Sequence, residues 1–141
     1  MVEFGWLRIT VGKPPVIWLV EAKSSAPNPS SPLVNAKEKL AEYFADIRDK
    51  MENALGLTIA ACLERHQTST SELPKNWKSV DLRELGFRFI LVVKGHHKEW
   101  LPPLGAELNK FLRTCSRLWV LGGDPAIVLN EELAQKYGLL L

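Results

Sequence analysis

Val16-Ile17-Trp18-Leu19-Val20-Glu21-Ala22-Lys23 opens with five apolar residues and closes on two charges placed two positions apart. Read as a strand, it puts Ile17 and Leu19 on one face and Trp18, Val20 and Ala22 on the other, so it is apolar on both. A strand of that kind has to be covered on both faces. Helices are therefore expected above and below it. The class this implies is α/β, a three-layer sandwich around a mixed central sheet, rather than an all-β domain.

Working outward, Val2 to Val11 alternate loosely around Phe4, Trp6, Leu7 and Ile9, and Gly12-Lys13-Pro14-Pro15 breaks the pattern, so the first two strands form a hairpin. The segment Ser24 to Pro32 holds three prolines and reads as a loop. Beyond it, Leu40, Phe44, Ile47, Met51, Ala54, Thr58 and Cys62 recur at helical spacing, which predicts one long helix from Val34 to Arg65, or two split near Gly56. Residues 67–79 are polar and loop-like, with Trp77 pinning them to the body. Phe87 to Val93 is a second central strand. Pro102 and Pro103 suit a helix's first turn, and Leu104, Leu108, Phe111, Leu112 and Cys115 form its apolar stripe. Leu118 to Leu121 and Ala126 to Leu129 read as two short strands around Gly122-Gly123-Asp124-Pro125. Asn130 caps a last helix with Glu131 and Glu132 in its first turn, and Gly138 ends it. The expected order is β-β-α-(α)-β-α-β-β-α.

The 141 residues are 46% apolar, with 18 Lys plus Arg against 16 Asp plus Glu. One domain over 1–141 can bury roughly two thirds of its unfolded surface, so it needs no disulfide or structural metal. Cys62 and Cys115 lie in apolar segments without metal-type spacing and read as reduced core thiols. No stretch reaches the about 18 apolar residues of a membrane helix, and no export signal is visible, so a cytoplasmic protein without a membrane partner is expected. A net charge of +2 argues neither for nor against nucleic acid.

Chemistry is expected where the strand's pattern breaks. Period-2 geometry points Glu21 and Lys23 the same way at the carboxyl end of an apolar strand. A tight turn at 12–15 would place positions near 3 opposite positions near 24. With a one-residue shift or a bulge, Glu3 would join the face of Glu21 and Lys23. Two carboxylates suit Mg²⁺ or Mn²⁺, and a neighbouring lysine can orient a nucleophile or stabilise charge building on a phosphate. Hydrolysis of a phosphodiester is the natural use of such a set.

Val20-Glu21-Ala22-Lys23-Ser24, following a hairpin and preceding a long helix, resembles the E-x-K half of the PD-(D/E)XK nuclease superfamily. The β-β-α-β order over residues 2–95 is similar to that family's restriction-endonuclease-like core. The resemblance implies a metal-dependent DNA endonuclease, a hydrolase, with Glu21 and Glu3 as metal ligands and Lys23 positioning or activating the attacking water. Two departures stand out. The acid on the preceding strand is usually Asp, and here it is Glu3. The family core opens with a helix, whereas two residues precede Glu3, so the core lacks that helix or its start lies upstream.

Other readings stay open. Glu21 and Lys23 form a rim ion pair in the plainest of them. A catalytically inactive nuclease-fold module, acting as an interaction or scaffold unit in a larger nucleic-acid-processing complex, is the alternative function. His96 and His97 read as a solvated turn. Lys94, Lys98, Lys37, Lys39 and Arg48 could form a phosphate-binding rim, while Glu38, Glu42, Asp46 and Asp49 read as a solvated helix face. Trp18 and Trp119 are expected in the core, and Trp6, Trp77 and Trp100 on a stacking or subunit surface. The short chain shows no base-recognition element, so a partner protein or a second copy in a homodimer would supply target choice.

Overall fold

The doubly apolar segment forms the second strand of a four-stranded sheet in the computed structural model, which describes residues 13–27, 34–63 and 81–139 and the backbone of 4–8. Strand β1 (Phe4–Arg8) pairs antiparallel with β2 (Val16–Lys23), while β2, β3 (Gly86–Val93) and β4 (Ala126–Leu129) run parallel, in the spatial order β1-β2-β3-β4. The class is mixed α/β. The parallel neighbours are joined by helical crossovers, which parallel pairing requires. Helix α1 (Ala36–Cys62) links β2 to β3. Helices α2 (Leu101–Phe111) and α3 (Arg113–Trp119), entered through a short 3₁₀ turn at Lys98–Trp100, link β3 to β4. Helix α4 (Glu131–Lys136) follows β4.

The two parities of β2 part as expected. Ile17 and Leu19 join Phe44, Ile47 and Met51 of α1 and Leu104 and Leu108 of α2 in one cluster. Trp18 and Val20 join Ile90, Val92, Leu129 and Ala134 in a second. Helix α1 passes through Gly56 unbroken and starts and ends within three residues of its expected limits. At α4, the Asn130 carboxamide oxygen accepts from the Leu133 amide, and Gly138 at φ +80° ends the element, both as expected.

One expected strand is absent. Residues 118–119 close helix α3, and Val120 follows in the left-handed region at φ 54°. The Leu121 amide reaches back 3.0 Å to the Ser116 carbonyl, and the Ser116 hydroxyl donates to the Gly122 carbonyl. A four-residue apolar run has no period of its own. Here it prolongs the helix whose buried side is Leu112 and Cys115, leaving Leu118, Trp119 and Val120 exposed. Among the described residues the order is therefore β-β-α-β-α-α-β-α, without the strand expected over Leu118–Leu121, and Trp119, expected in the core, is 45% exposed. Trp18 is buried and Trp100 exposed, as expected. Trp77 and the 67–79 segment lie outside the described residues, as does the side chain of Trp6. Cys115 is buried, Cys62 half-buried, and both are free thiols. Burial pushes the Cys115 thiol up to about 11, helped by Glu52, and raises Cys62 too.

Candidate active site at the end of the second strand

Glu21 is 4% exposed and, with Ser116, one of two buried polar residues among those described. Its place follows from the strand. It stands opposite Leu91 of β3, on the parity of Ile17 and Leu19, and so faces helix α1. Lys23 is two residues on, and its Nζ lies 3.8 Å from Glu21 Oε1. The expected pair is therefore formed.

Helix α1 adds two groups that belong to one face by their spacing of four. Lys50 Nζ lies 3.6 Å from the same Glu21 Oε1 and 3.3 Å from Asp46 Oδ2, and Asp46 Oδ2 also lies 3.6 Å from Lys23 Nζ. Two carboxylates and two ammonium groups alternate around a closed ring of four. The Lys50 ammonium beside Asp46, seconded by Lys23, holds its carboxyl below the usual range. Tyr43, one helical turn before Ile47, donates its hydroxyl 3.1 Å to the Ser25 carbonyl just past β2. Burial, and then the Glu21 carboxylate, raise its pKa, so the phenol keeps its proton. Asp46 reads in the sequence as solvated surface and Lys50 carries no signal. Their spacing of four is visible there, but not which side of α1 meets β2.

Both ammonium groups engage Oε1. Glu21 Oε2 is buried and has no hydrogen-bond partner. A carboxylate oxygen in that state loses hydration without compensation, which is costly unless something binds it. A hard carboxylate oxygen in that state could serve as one ligand of a divalent cation such as Mg²⁺ or Mn²⁺. Among the described residues no three of His, Cys, Asp and Glu come together to hold a metal.

Glu3, the other expected ligand, lies outside the described residues. The strand after it pairs Phe4 with Val20, three residues from the expected register. The expected phosphate rim is dispersed. Lys37 and Lys39 are exposed at the start of α1. Arg48 bonds Asp49 at 3.2 Å and stands over the Phe111 ring. Lys94 shares a small recess with Glu131, and Lys98 lines a different cleft. His97 is exposed. His96 is half-buried, with a buried Nε2 that lacks a partner. Both histidine rings pack edge-on against Trp100. Compared with protein-family models, with curated proteins and with solved structures, the chain matches none. Among the described residues no helix is long and apolar enough to cross a membrane.

Proposed function

We propose that this protein is a metal-dependent hydrolase of phosphodiester bonds in DNA, built as a three-layer, restriction-endonuclease-like core of the PD-(D/E)XK type. The observation that carries the reading is the unpartnered, buried Oε2 of Glu21 beside Lys23 at the carboxyl end of a central strand. Glu21, with Glu3, would hold Mg²⁺ or Mn²⁺, and Asp46 is the nearest further carboxylate through the shared lysines. When bound, the cation lowers the pKa of a water and offsets charge on the phosphate. Lys23 orients the water or donates to a phosphate oxygen. Asp46 keeps that ammonium close to Glu21, and Lys50 offers a second cation to the same oxygens. A second copy or a partner protein would choose the target.

The test is cleavage of supercoiled DNA with Mg²⁺ or Mn²⁺. Glu21→Ala and Lys23→Ala are each expected to lose at least about 100-fold, equal to about 2.7 kcal/mol of transition-state stabilisation. Equal residual cleavage in all three proteins would overturn the assignment. One observation favours a second reading, an inactive module of a larger nucleic-acid-processing assembly: two ammonium groups already neutralise Glu21 Oε1. For that reading the expected outcomes are no cleavage by wild type and no heat of Mg²⁺ binding that depends on Glu21.

A further inference from the structure

The outer edge of β4 is half occupied by a side chain acting as a strand. The Ala126 amide donates 2.9 Å to Asn109 Oδ1, and Asn109 Nδ2 donates 3.0 Å to the Ala126 carbonyl. One carboxamide thus makes both bonds that a residue of a neighbouring strand would make. On the inner side, the Phe89 amide donates to the Pro125 carbonyl, as the alternation of a strand requires. Two residues beyond Ala126, Val128 turns its own amide and carbonyl to the same outer edge.

A cleft of about 770 Å³ runs along this edge between β4 and α2. Its walls are apolar, with Leu101 and Val128, and Gly105 and Ala106 of α2 keep it open. A β-carbon on Gly105 would come within 3.9 Å of the Val128 side chain. Arg88, Lys98, Lys110 and Arg113 line it, against Asp124 as the only acid among the described lining residues. Lys110 is paired with Glu107 at 2.9 Å. Arg88 is half-buried, and among the described residues its guanidinium has no carboxylate within ion-pair distance. A half-buried guanidinium in that state is poised for an incoming anion.

We infer that the β4 edge is a docking groove for an extended acidic segment of a partner protein, which adds a short strand at Val128 and places carboxylates on Arg88, Arg113 and Lys98. Backbone pairing along a sheet edge gives such a segment its register, and alternate side chains give selectivity. Among the described residues that line the cleft there is no aromatic ring on which a nucleic-acid base could stack, so its chemistry favours a peptide over a single strand. The groove involves none of Glu21, Lys23, Asp46 or Lys50, and the inference stands whether or not the protein cleaves DNA.

The experiment is fluorescence anisotropy on the full chain with three labelled probes: a peptide alternating glutamate and valine, its lysine-valine counterpart, and a single-stranded DNA oligonucleotide of equal charge to the first. The acidic peptide is expected to bind at least about tenfold more tightly than either other probe, a difference of about 1.4 kcal/mol. Arg88→Ala combined with Arg113→Ala is expected to weaken it at least about tenfold, and Gly105→Leu, which fills the groove without changing charge, by a similar factor. Hydrogen exchange of the Val128 amide is expected to slow when the peptide is present. Unfolding curves show whether each variant is folded, and Arg88→Lys is expected to restore most of the affinity if folding is intact. Equal binding of the two peptides, arginine-dependent preference for the oligonucleotide, or unchanged exchange at Val128 would each overturn the inference.

Discussion

Two places on the sheet concentrate charge, and they treat it in opposite ways. At the carboxyl end of β2, two carboxylates and two ammonium groups close a ring, and one oxygen within it, Glu21 Oε2, is buried and left unpartnered. Along the β4 edge, among the described residues, four cations line the cleft against Asp124, and of these only Lys110 has a paired carboxylate, Glu107. The first region is internally neutral and partly buried, so its members hold one another in place at short range, where screening is weak. The second is open and unbalanced in charge. A closed ring with one orphaned atom suits a small, hard ligand, whereas an open cationic edge suits a larger anionic one. The difference separates a candidate for chemistry from a candidate for docking within one small sheet.

The sharpest way to break this division is to move function across it. Lys23→Ala is expected to lose about 100-fold or more in DNA cleavage, Lys50→Ala to stay within about tenfold of wild type, and Arg88→Ala within about threefold. A loss at Lys50 equal to that at Lys23 would place the working ammonium on α1 instead of β2. A comparable loss at Arg88 would merge the two regions into one substrate-binding surface.

Next in size is the edge itself. Asn109→Ala removes both bonds to Ala126 and leaves a half-buried amide and carbonyl to water, which is expected to cost about 2 kcal/mol in urea unfolding. Peptide affinity at Val128 should survive that change, because the substitution vacates strand-pairing positions and removes no cation. A loss of affinity parallel to the loss of stability would mean that Asn109 organises the whole groove.

At the β2 end a smaller effect of unusual sign is expected. Glu21→Gln removes a buried charge while keeping shape and an acceptor for the lysines, so stability should fall within about 1 kcal/mol of wild type or rise, even as cleavage is lost. A fall of 3 kcal/mol or more in the unfolding free energy would show that the ion ring holds the fold together and is not merely tolerated by it.

How much of this was legible in the residues follows from range. The doubly apolar run from Val16 to Val20 implies cover on both faces, and the helical spacing from Leu40 to Met51 implies the element that covers one of them. Both are short-range patterns, and both appear in the structure. Glu21 and Lys23 could be paired because a strand's period of two is rigid. Lys50 and Asp46 could not be added, since their approach depends on how α1 docks on β2. Leu118 to Leu121 failed for the reason that four apolar residues fit either period, and only the burial of Leu112 and Cys115 decides between them. The β4 cleft left no local trace. Arg88, Lys98 and Arg113 come from three elements and meet only because β4 takes the outer position in the sheet.

The smallest expected effect lies between the two regions, at the turn that leaves β3. The His96 carbonyl accepts 3.1 Å from Asn130 Nδ2, which ties this turn to the cap of α4 immediately after β4. Burial, and then the neighbouring His97, hold the His96 imidazole below its ordinary value, and its buried Nε2 has no partner to which a protonated ring could donate. The folded chain therefore keeps this ring neutral at a pH where the unfolded chain has already taken up the proton. Stability from the neutral ring is complete above the unfolded value of about 6.5 and is lost as pH falls through it toward the lower folded value, with a slope of at most about 1.4 kcal/mol per pH unit. Between pH 7.5 and 5.0 the wild type is expected to lose more stability than His96→Gln in urea unfolding. If the wild type instead gained on the variant as the pH fell, the protonated ring would have to find an anion in the folded chain, and burial would not be what sets its pKa.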